Sequence, residues 1–155
     1  MSCMEWNESY ELGISQLDEH HRHLVGLLKS AYESCLDDDP AESFETILKL
    51  LSNYASYHFS VEERLMLDNG YPEQQAHTKM HDLFIRQIAR FQLDLFAGKG
   101  LLAMEMMVFL GKWLIDHILD VDRKLYIYLA AKDASYGLVG EISREQARKW
   151  AGENI

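Results

Sequence analysis

Histidines and carboxylates stand at core positions of several predicted helices in this chain. Within each helix the apolar residues recur in alternating steps of three and four, and at some steps a metal-binding side chain replaces the expected leucine. Those side chains are His21, His58, Glu62, His77, His81 and His117, with an aspartate near the last of them. Burying so many polar groups without partners would cost more free energy than a domain of this size has to spare. The pattern therefore predicts a metal site.

The distances of these residues from the predicted turns place them at one level of a helical bundle. Counted from the first turn, at residues 38–40, His21 and His58 lie 17 and 18 residues away along their helices. His81 and His117 each lie 17 residues from the turn at Gly98–Gly100. Because antiparallel helices have the same rise per residue, these side chains are expected to meet in one layer.

Turn-forming residues divide the chain into four helices with short connections. Pro40 can start a helix, Asn69–Pro72 can end one and start the next, and Gly98–Gly100 marks a third break. Ser15 with Asp18 is typical of the cap that begins a first helix. The predicted helices cover residues 16–37, 40–69, 72–97 and 101–131.

Short connections make neighbouring helices antiparallel, so the expected fold is an all-α, up-down-up-down four-helix bundle. At 155 residues the chain has room for one such domain, which we place at residues 1–131. Residues 132–155 are expected to be a short C-terminal extension, with a loop over 133–140 and a segment over 143–151 that is compatible with a short helix.

Composition excludes several classes of partner. A formal net charge of −10 repels phosphate backbones and anionic lipid, so neither nucleic acid nor a membrane surface is an expected partner. The first residues have no basic start and no apolar stretch, which indicates a cytoplasmic protein. Cys3 and Cys35 form no thiolate motif and are expected to be a free thiol and a core residue.

Spacing leaves the first histidine position open. Both His20 and His21 lie near the apolar face of the first helix, and the periodicity favours His21 only modestly. His23 points away from that face. Both His20 and His23 are expected to be solvated side chains on an exposed flank.

The aspartate of the last helix is also undecided. Asp122 follows His117 by five residues, about 140° around an ideal helix, whereas Asp120 at three residues is better placed. A local widening of the helix would bring Asp122 inward, and such π-bulges occur at functional sites.

The number of donors indicates two metal ions rather than one. Five imidazoles and two carboxylates exceed one six-coordinate ion but suit two ions that share the carboxylates. With His77, His81 and His117 on one ion, His21 and His58 remain for the other, which keeps an open position. Such a position suits a small diatomic ligand, and no nearby side chain offers nucleophilic or general-base chemistry. Binding, rather than enzymatic turnover, is expected.

The chain resembles the hemerythrin family, specifically its single-domain bacterial members. The resemblance extends from about Trp6 to Ala131. It rests on these motifs: Trp6-Asn7, Gly13-Ile14, Leu17-Asp18-x-x-His21-x-x-Leu24, His58-Phe59-x-x-Glu62-Glu63, Gly70-Tyr71-Pro72, His77-x-x-x-His81-x-x-Phe84 and Trp113-Leu114-x-x-His117-x-x-x-x-Asp122. One departure is His20, because bacterial members often have glutamine before the first ligand, and this departure allows another imidazole near the pocket.

The resemblance implies a complete site. It selects His21 over His20 and Asp122 over Asp120, and it implies two iron ions bridged by Glu62, Asp122 and an oxo or hydroxo group. Dioxygen would bind there reversibly. By the same resemblance, the wall of the oxygen pocket would be formed by Phe59, Trp113, Leu114 and Ile118.

Three functions are compatible with such a site. The first hypothesis is oxygen carriage, storage or delivery to an oxygen-consuming enzyme. The second is an oxygen or redox sensor that acts in trans on a signalling partner. The third is a diiron oxidase, peroxidase or nitric-oxide scavenger, which is disfavoured because the paired Glu-x-x-His motifs of ferritin-like oxidases are absent from the sequence. The oligomeric state stays open.

Overall fold

A computed structural model describes residues 5–36, 40–98 and 103–132. Helix α1 is Ser15–Ser34, α2 is Pro40–Asp68 and α3 is Gln74–Phe96. Helix α4 has three consecutive parts, which are α-helical Ala103–Asp116, π-helical His117–Asp122 and α-helical Arg123–Ala131. The predicted all-α four-helix bundle is confirmed, and the described residues contain no strand. A short 3-10 turn at Glu8–Tyr10, which the sequence pattern did not predict, precedes α1.

The start of α1 differs from the predicted cap. Ile14 is the N-cap residue, and no side chain caps the helix there, so the prediction for Ser15 is wrong. Asp18 instead accepts hydrogen bonds from the backbone N–H groups of Leu12 at 2.8 Å and Gly13 at 3.1 Å. Gly13 has a φ of 103°, which side-chain-bearing residues rarely adopt. Asp18 thus fixes the segment that leads into the bundle.

Glycines end two of the helices. After α2, Gly70 has a φ of 62°, and the N–H of Tyr71 reaches back to the carbonyl of Met66 at 2.9 Å. Helix α3 begins at Gln74, two residues later than predicted, because residues 72–73 belong to the turn. Gly98, with a φ of 82°, follows the end of α3. The predicted features of residues 133–155 lie outside the described residues.

The helices pack in a ring, with α1 against α2 and α4, and α3 against α2 and α4. Their apolar faces form two clusters of buried side chains. One includes Leu24, Leu51 and Leu110, and the other, toward the opposite end of the bundle, includes Leu17 and Leu125. The predicted polar layer lies between these clusters along α1, α2 and α4. Over the described residues, no helix combines the length and apolar character needed to cross a membrane.

Cys35, predicted to be a core residue, is only partly buried at the end of α1 and lies against the larger apolar cluster. Its Sγ is 3.3 Å from the carbonyl oxygen of Ala31. Cys3 lies outside the described residues.

Candidate metal centre

All seven predicted donor residues lie in one buried layer of the bundle. Each is at most 2% exposed, and every helix contributes at least one of them. They are His21 from α1, His58 and Glu62 from α2, His77 and His81 from α3, and His117 and Asp122 from α4. The alternating three- and four-residue steps of the apolar faces thus bring these side chains inward, as the sequence indicates.

The donor atoms form two groups that share both carboxylates. The three-histidine group consists of Glu62, His77, His81, His117 and Asp122, and the two-histidine group consists of His21, His58, Glu62 and Asp122. Within each group the donor atoms lie within 4.8 Å of one another. Either group could therefore hold a metal ion.

Each carboxylate turns one oxygen toward each group. Glu62 Oε1 is 3.1 Å from His58 Nε2, while Glu62 Oε2 is 3.2 Å from His81 Nε2. Asp122 Oδ2 is 3.1 Å from His21 Nε2, and Asp122 Oδ1 is 3.0 Å from the Nε2 atoms of both His77 and His117. This division of oxygens is what two ions with shared carboxylates require.

The contacts within the layer fit a coordination shell better than a hydrogen-bond network. The donor atoms are close, yet several make no hydrogen bond, namely Nε2 of His58, His77, His81 and His117, Glu62 Oε2 and Asp122 Oδ1. Ligands about 2.1 Å from one ion at right angles lie about 3.0 Å from each other. The observed spacings match that edge length, so the residues present fit a bound metal ion.

A π-helical turn decides between the two aspartates of α4. The segment His117–Asp122 is wound with hydrogen bonds between residues five apart, so residues at that spacing share a face. Asp122 points into the donor layer, whereas the side chain of Asp120 is 74% exposed and lies 3.8 Å from Lys124 Nζ. Simple 3.6-residue geometry, which favoured Asp120, fails at this turn.

Comparison with known proteins agrees with this geometry. A family model described as the hemerythrin HHE cation binding domain matches residues 12–129, a span that contains all seven donor residues. The chain belongs to the hemerythrin family. It is 28% identical to a bacteriohemerythrin of Stenotrophomonas maltophilia over 156 residues, which cover all of this chain and 97% of that protein. It is also 30% identical to a bacteriohemerythrin of Clostridium acetobutylicum over 77% of this chain and 95% of that protein.

A relative with a different name extends the comparison. The chain is 30% identical to a myohemerythrin of Theromyzon tessulatum, over 77% of this chain and 88% of that protein. The relatives thus include proteins named bacteriohemerythrin and myohemerythrin, and the family match includes residues of all four helices.

Side chains outside the predicted set also contact the donors of this candidate metal centre. The Tyr126 hydroxyl donates a hydrogen bond to Glu62 Oε1 at 2.7 Å and lies 3.2 Å from His21 Nε2. Burial, followed by the charges of Glu62 and Asp122, raises the pKa of Tyr126 far above its ordinary value, so the phenol stays a donor. Tyr126 follows Asp122 by one helical turn, a spacing that could have identified it. Glu63 belongs to the His58–Glu63 motif of the sequence but was not predicted to contact a donor. Its Oε1 lies 3.0 Å from His81 Nδ1.

The prediction for His20 is wrong. His20 is 2% exposed, and its Nδ1 lies 2.9 Å from Nδ1 of His58. Burial and then the neighbouring His58 ring lower the pKa of His20 to about 2. His23, expected to be solvated, is half-buried, and its ring packs 4.3 Å from the ring of Tyr54. The apolar face of α1 alone does not predict which of its side chains are buried, because α1 is covered by both α2 and α4.

The residues of the predicted oxygen pocket are buried beside the layer or partly so. Phe59 stacks on the ring of His81 at 3.9 Å, and Trp113 stacks on His117 at 4.6 Å. Leu114 and Ile118 are at most 1% exposed. The two aromatic rings thus cover the three-histidine group. A surface groove of about 370 Å³ lies next to Phe59 and is also lined by Glu63 and Arg86.

Burial and charge act in opposite directions on the donors. Burial alone would lower the pKa of His21 and of His77, but the close carboxylates of Asp122 and Glu62 outweigh it and raise both pKa values to about 9. Burial lowers the pKa of His58. Burial would raise the pKa of Glu62, yet the electrostatic effect of the adjacent His58 ring and close contacts with the other imidazoles hold it well below its ordinary value. Without metal, the layer is therefore a mixed ion-pair network.

We expect the stability of the metal-free protein to fall as pH rises from 6.5 to about 9. A histidine whose pKa is raised on folding stabilises the fold fully below its unfolded pKa of about 6.5, and that contribution disappears as pH passes the folded pKa. For His21 and His77 the folded pKa is about 9. Thermal unfolding midpoints of metal-free and metal-loaded protein, measured across this range, test the expectation. A metal-free midpoint that stays level or rises would contradict it.

Proposed function

We propose that this chain binds dioxygen reversibly at a pair of iron ions. The observation that carries the proposal is the sharing of Glu62 and Asp122, each with one oxygen toward each donor group. The three-histidine group has five donors and the two-histidine group has four. An ion in the two-histidine group would therefore keep one more coordination position for an external ligand. The names of the relatives, bacteriohemerythrin and myohemerythrin, support the same interpretation.

In this proposal the chain divides its donors between the two ions. His77, His81 and His117 would hold one ion, His21 and His58 would hold the other, and Glu62 with Asp122 would join them. An iron pair in such a site supplies electrons for reversible dioxygen binding. Imidazole-rich ligation carries less negative charge than the carboxylate-rich ligation of ferritin-like oxidases, which favours binding over oxidative turnover.

The apolar surroundings support a binding role. Phe59, Leu114 and Ile118 are buried, and Trp113 stacks on His117, so these four side chains would exclude water and anions from one side of the layer. Tyr126 closes another side, and its hydroxyl donates a hydrogen bond to Glu62, so this carboxylate oxygen is not left to solvent. We propose that the protein serves oxygen carriage, storage or delivery.

Iron content together with oxygen-dependent absorption tests the proposal. Protein produced with ample iron should contain two iron ions per chain, and its visible spectrum should change on exposure to air and return on removal of oxygen over repeated cycles. Elemental analysis and anaerobic-to-aerobic spectra give both results. One metal ion per chain, or zinc after iron-replete expression, would refute the two-iron assignment. Steady oxygen consumption with release of hydrogen peroxide would show an enzyme instead.

A further inference from the structure

His20 is a buried imidazole directly behind one donor of the two-histidine group. Its Nδ1 lies 2.9 Å from Nδ1 of His58, and the two ring centroids are 5.1 Å apart with the planes nearly perpendicular. The other nitrogen of His58, Nε2, is on the donor side, 3.1 Å from Glu62 Oε1. His58 thus connects the donor layer to His20.

The contact between the two rings requires one shared proton. Two ring nitrogens 2.9 Å apart form a hydrogen bond only if one is protonated and the other bare. If His20 holds that proton, a neutral His58 must be protonated at Nε2 and has no lone pair for a metal. If His58 holds it, Nε2 is bare. Only the second arrangement makes His58 a metal ligand.

We propose that His20 is a positioning residue for the two-histidine group: it accepts a hydrogen bond from His58 Nδ1–H and thereby holds His58 with a bare Nε2 toward the shared carboxylates. This inference rests on the metal assignment proposed above. When one nitrogen of a histidine ring binds a metal, the other nitrogen usually donates its N–H to a hydrogen-bond acceptor. That hydrogen bond sets both the tautomer and the rotation of the ring.

Packing fixes the His20 ring in the required orientation. The ring centroid of His20 lies 5.6 Å from that of Tyr57 and 6.0 Å from that of Tyr54, the latter in an edge-to-face arrangement. With only 2% of His20 exposed, water has little access to compete for the hydrogen bond. The tyrosines therefore hold the acceptor nitrogen where His58 can donate to it.

One histidine of each group is anchored, and the two anchors differ in charge. Within the described residues, the Nδ1 atoms of His21, His77 and His117 have no hydrogen-bond partner. His81 has the carboxylate of Glu63 at 3.0 Å, and that side chain is 30% exposed. His58 has only the buried imidazole of His20. Loss of His20 should therefore weaken the two-histidine position selectively.

Replacement of His20 by glutamine and by methionine provides a matched test. The two side chains have similar length, but glutamine has a carbonyl oxygen that accepts hydrogen bonds well, whereas the methionine sulfur accepts them only weakly. Anaerobic titration with Fe(II) gives the affinity of each position in the full chain. We expect His20→Met to weaken binding of one Fe(II) equivalent roughly 10–100-fold, the usual cost of losing an outer partner, and His20→Gln to restore most of it. Ser30→Met, at an exposed position on the same helix, is the control.

Equal losses in the glutamine and methionine variants would overturn the inference, because His20 would then act only through ring packing. Wild-type affinity in His20→Met would overturn it as well. If neither variant folds, the zinc-loaded wild-type protein with ¹⁵N-labelled histidine decides. We expect its nitrogen spectrum to place a proton on Nδ1 of His58 and on Nε2 of His20, and a proton on Nδ1 of His20 would refute the proposal. Wild-type protein that binds no metal pair would instead refute the proposed function.

Discussion

Asp122→Asn should abolish the paired metal centre, whereas Asp120→Asn should leave it intact. The two oxygens of Asp122 contact different groups, with Oδ2 beside His21 and Oδ1 beside His77. Asparagine keeps one oxygen and replaces the other with an NH₂ group, which repels a cation. The asparagine side chain could therefore bind only one of the two ions. The loss of the negative charge adds to this effect, because the carboxylate would offset the positive charge of the ions. It lies in the donor layer, within 3.1 Å of three buried imidazoles.

The size of the effect should exceed what outer partners contribute. Replacing an outer partner typically costs roughly 10–100-fold in metal affinity, and loss of a shared donor should cost more at both positions. Iron per chain and the visible spectrum measure the outcome. Asp120→Asn is matched in chemistry and helix, and it removes only an exposed contact with Lys124. A normal spectrum for Asp122→Asn with a damaged one for Asp120→Asn would show that the π-helical turn misleads.

The bundle and the donor layer were predictable because both follow from simple periodicities. Core residues that recur every three or four positions define a helix face, and glycine or proline ends each helix, so residue counts from the turns give the level of a side chain. His21 and His58 meet across α1 and α2 for this reason. The same counts align His81 with His117. Nothing beyond regular helix geometry is needed to bring these four rings into one layer.

The π-helical turn was not predictable from spacing, because an ideal helix places residues five apart on different faces. The turn brings Asp122 within 3.1 Å of three imidazoles, which lie on α1, α3 and α4. Family resemblance selected Asp122 where geometry could not. Spacing within α4 does not report the contacts of Asp122 with imidazoles of α1 and α3.

The contacts around the donors were missed for a related reason. Whether His20 is exposed depends on how closely α2 covers that flank of α1, which periodicity within α1 does not report. Tyr126 had a detectable signal, one turn after Asp122, but its hydrogen bond to Glu62 depends on the side-chain rotamers of both residues. Helix faces are encoded locally, whereas partner choice among buried polar groups depends on packing between helices.

His58→Ala should convert the two-iron protein into a one-iron protein. The variant leaves the two-histidine group with one imidazole and two carboxylates that are also needed by the other ion, too few donors for tight binding of iron. The three-histidine group keeps all five of its donors. Iron content should therefore fall from two ions per chain to one, and the reversible spectral change with oxygen should disappear.

Ser56→Ala, at an exposed position on the same helix, is the control and should keep both irons. The His58→Ala result also sets the limit for His20, because a positioning residue cannot matter more to this site than the donor it holds. Retention of both irons by His58→Ala would show that His58 is not a donor. Loss of both irons would show that the two positions fill only together, through the carboxylates they share. One iron with an intact oxygen response would place the external ligand on the three-histidine group, beneath Phe59 and Trp113, whose rings stack on His81 and His117.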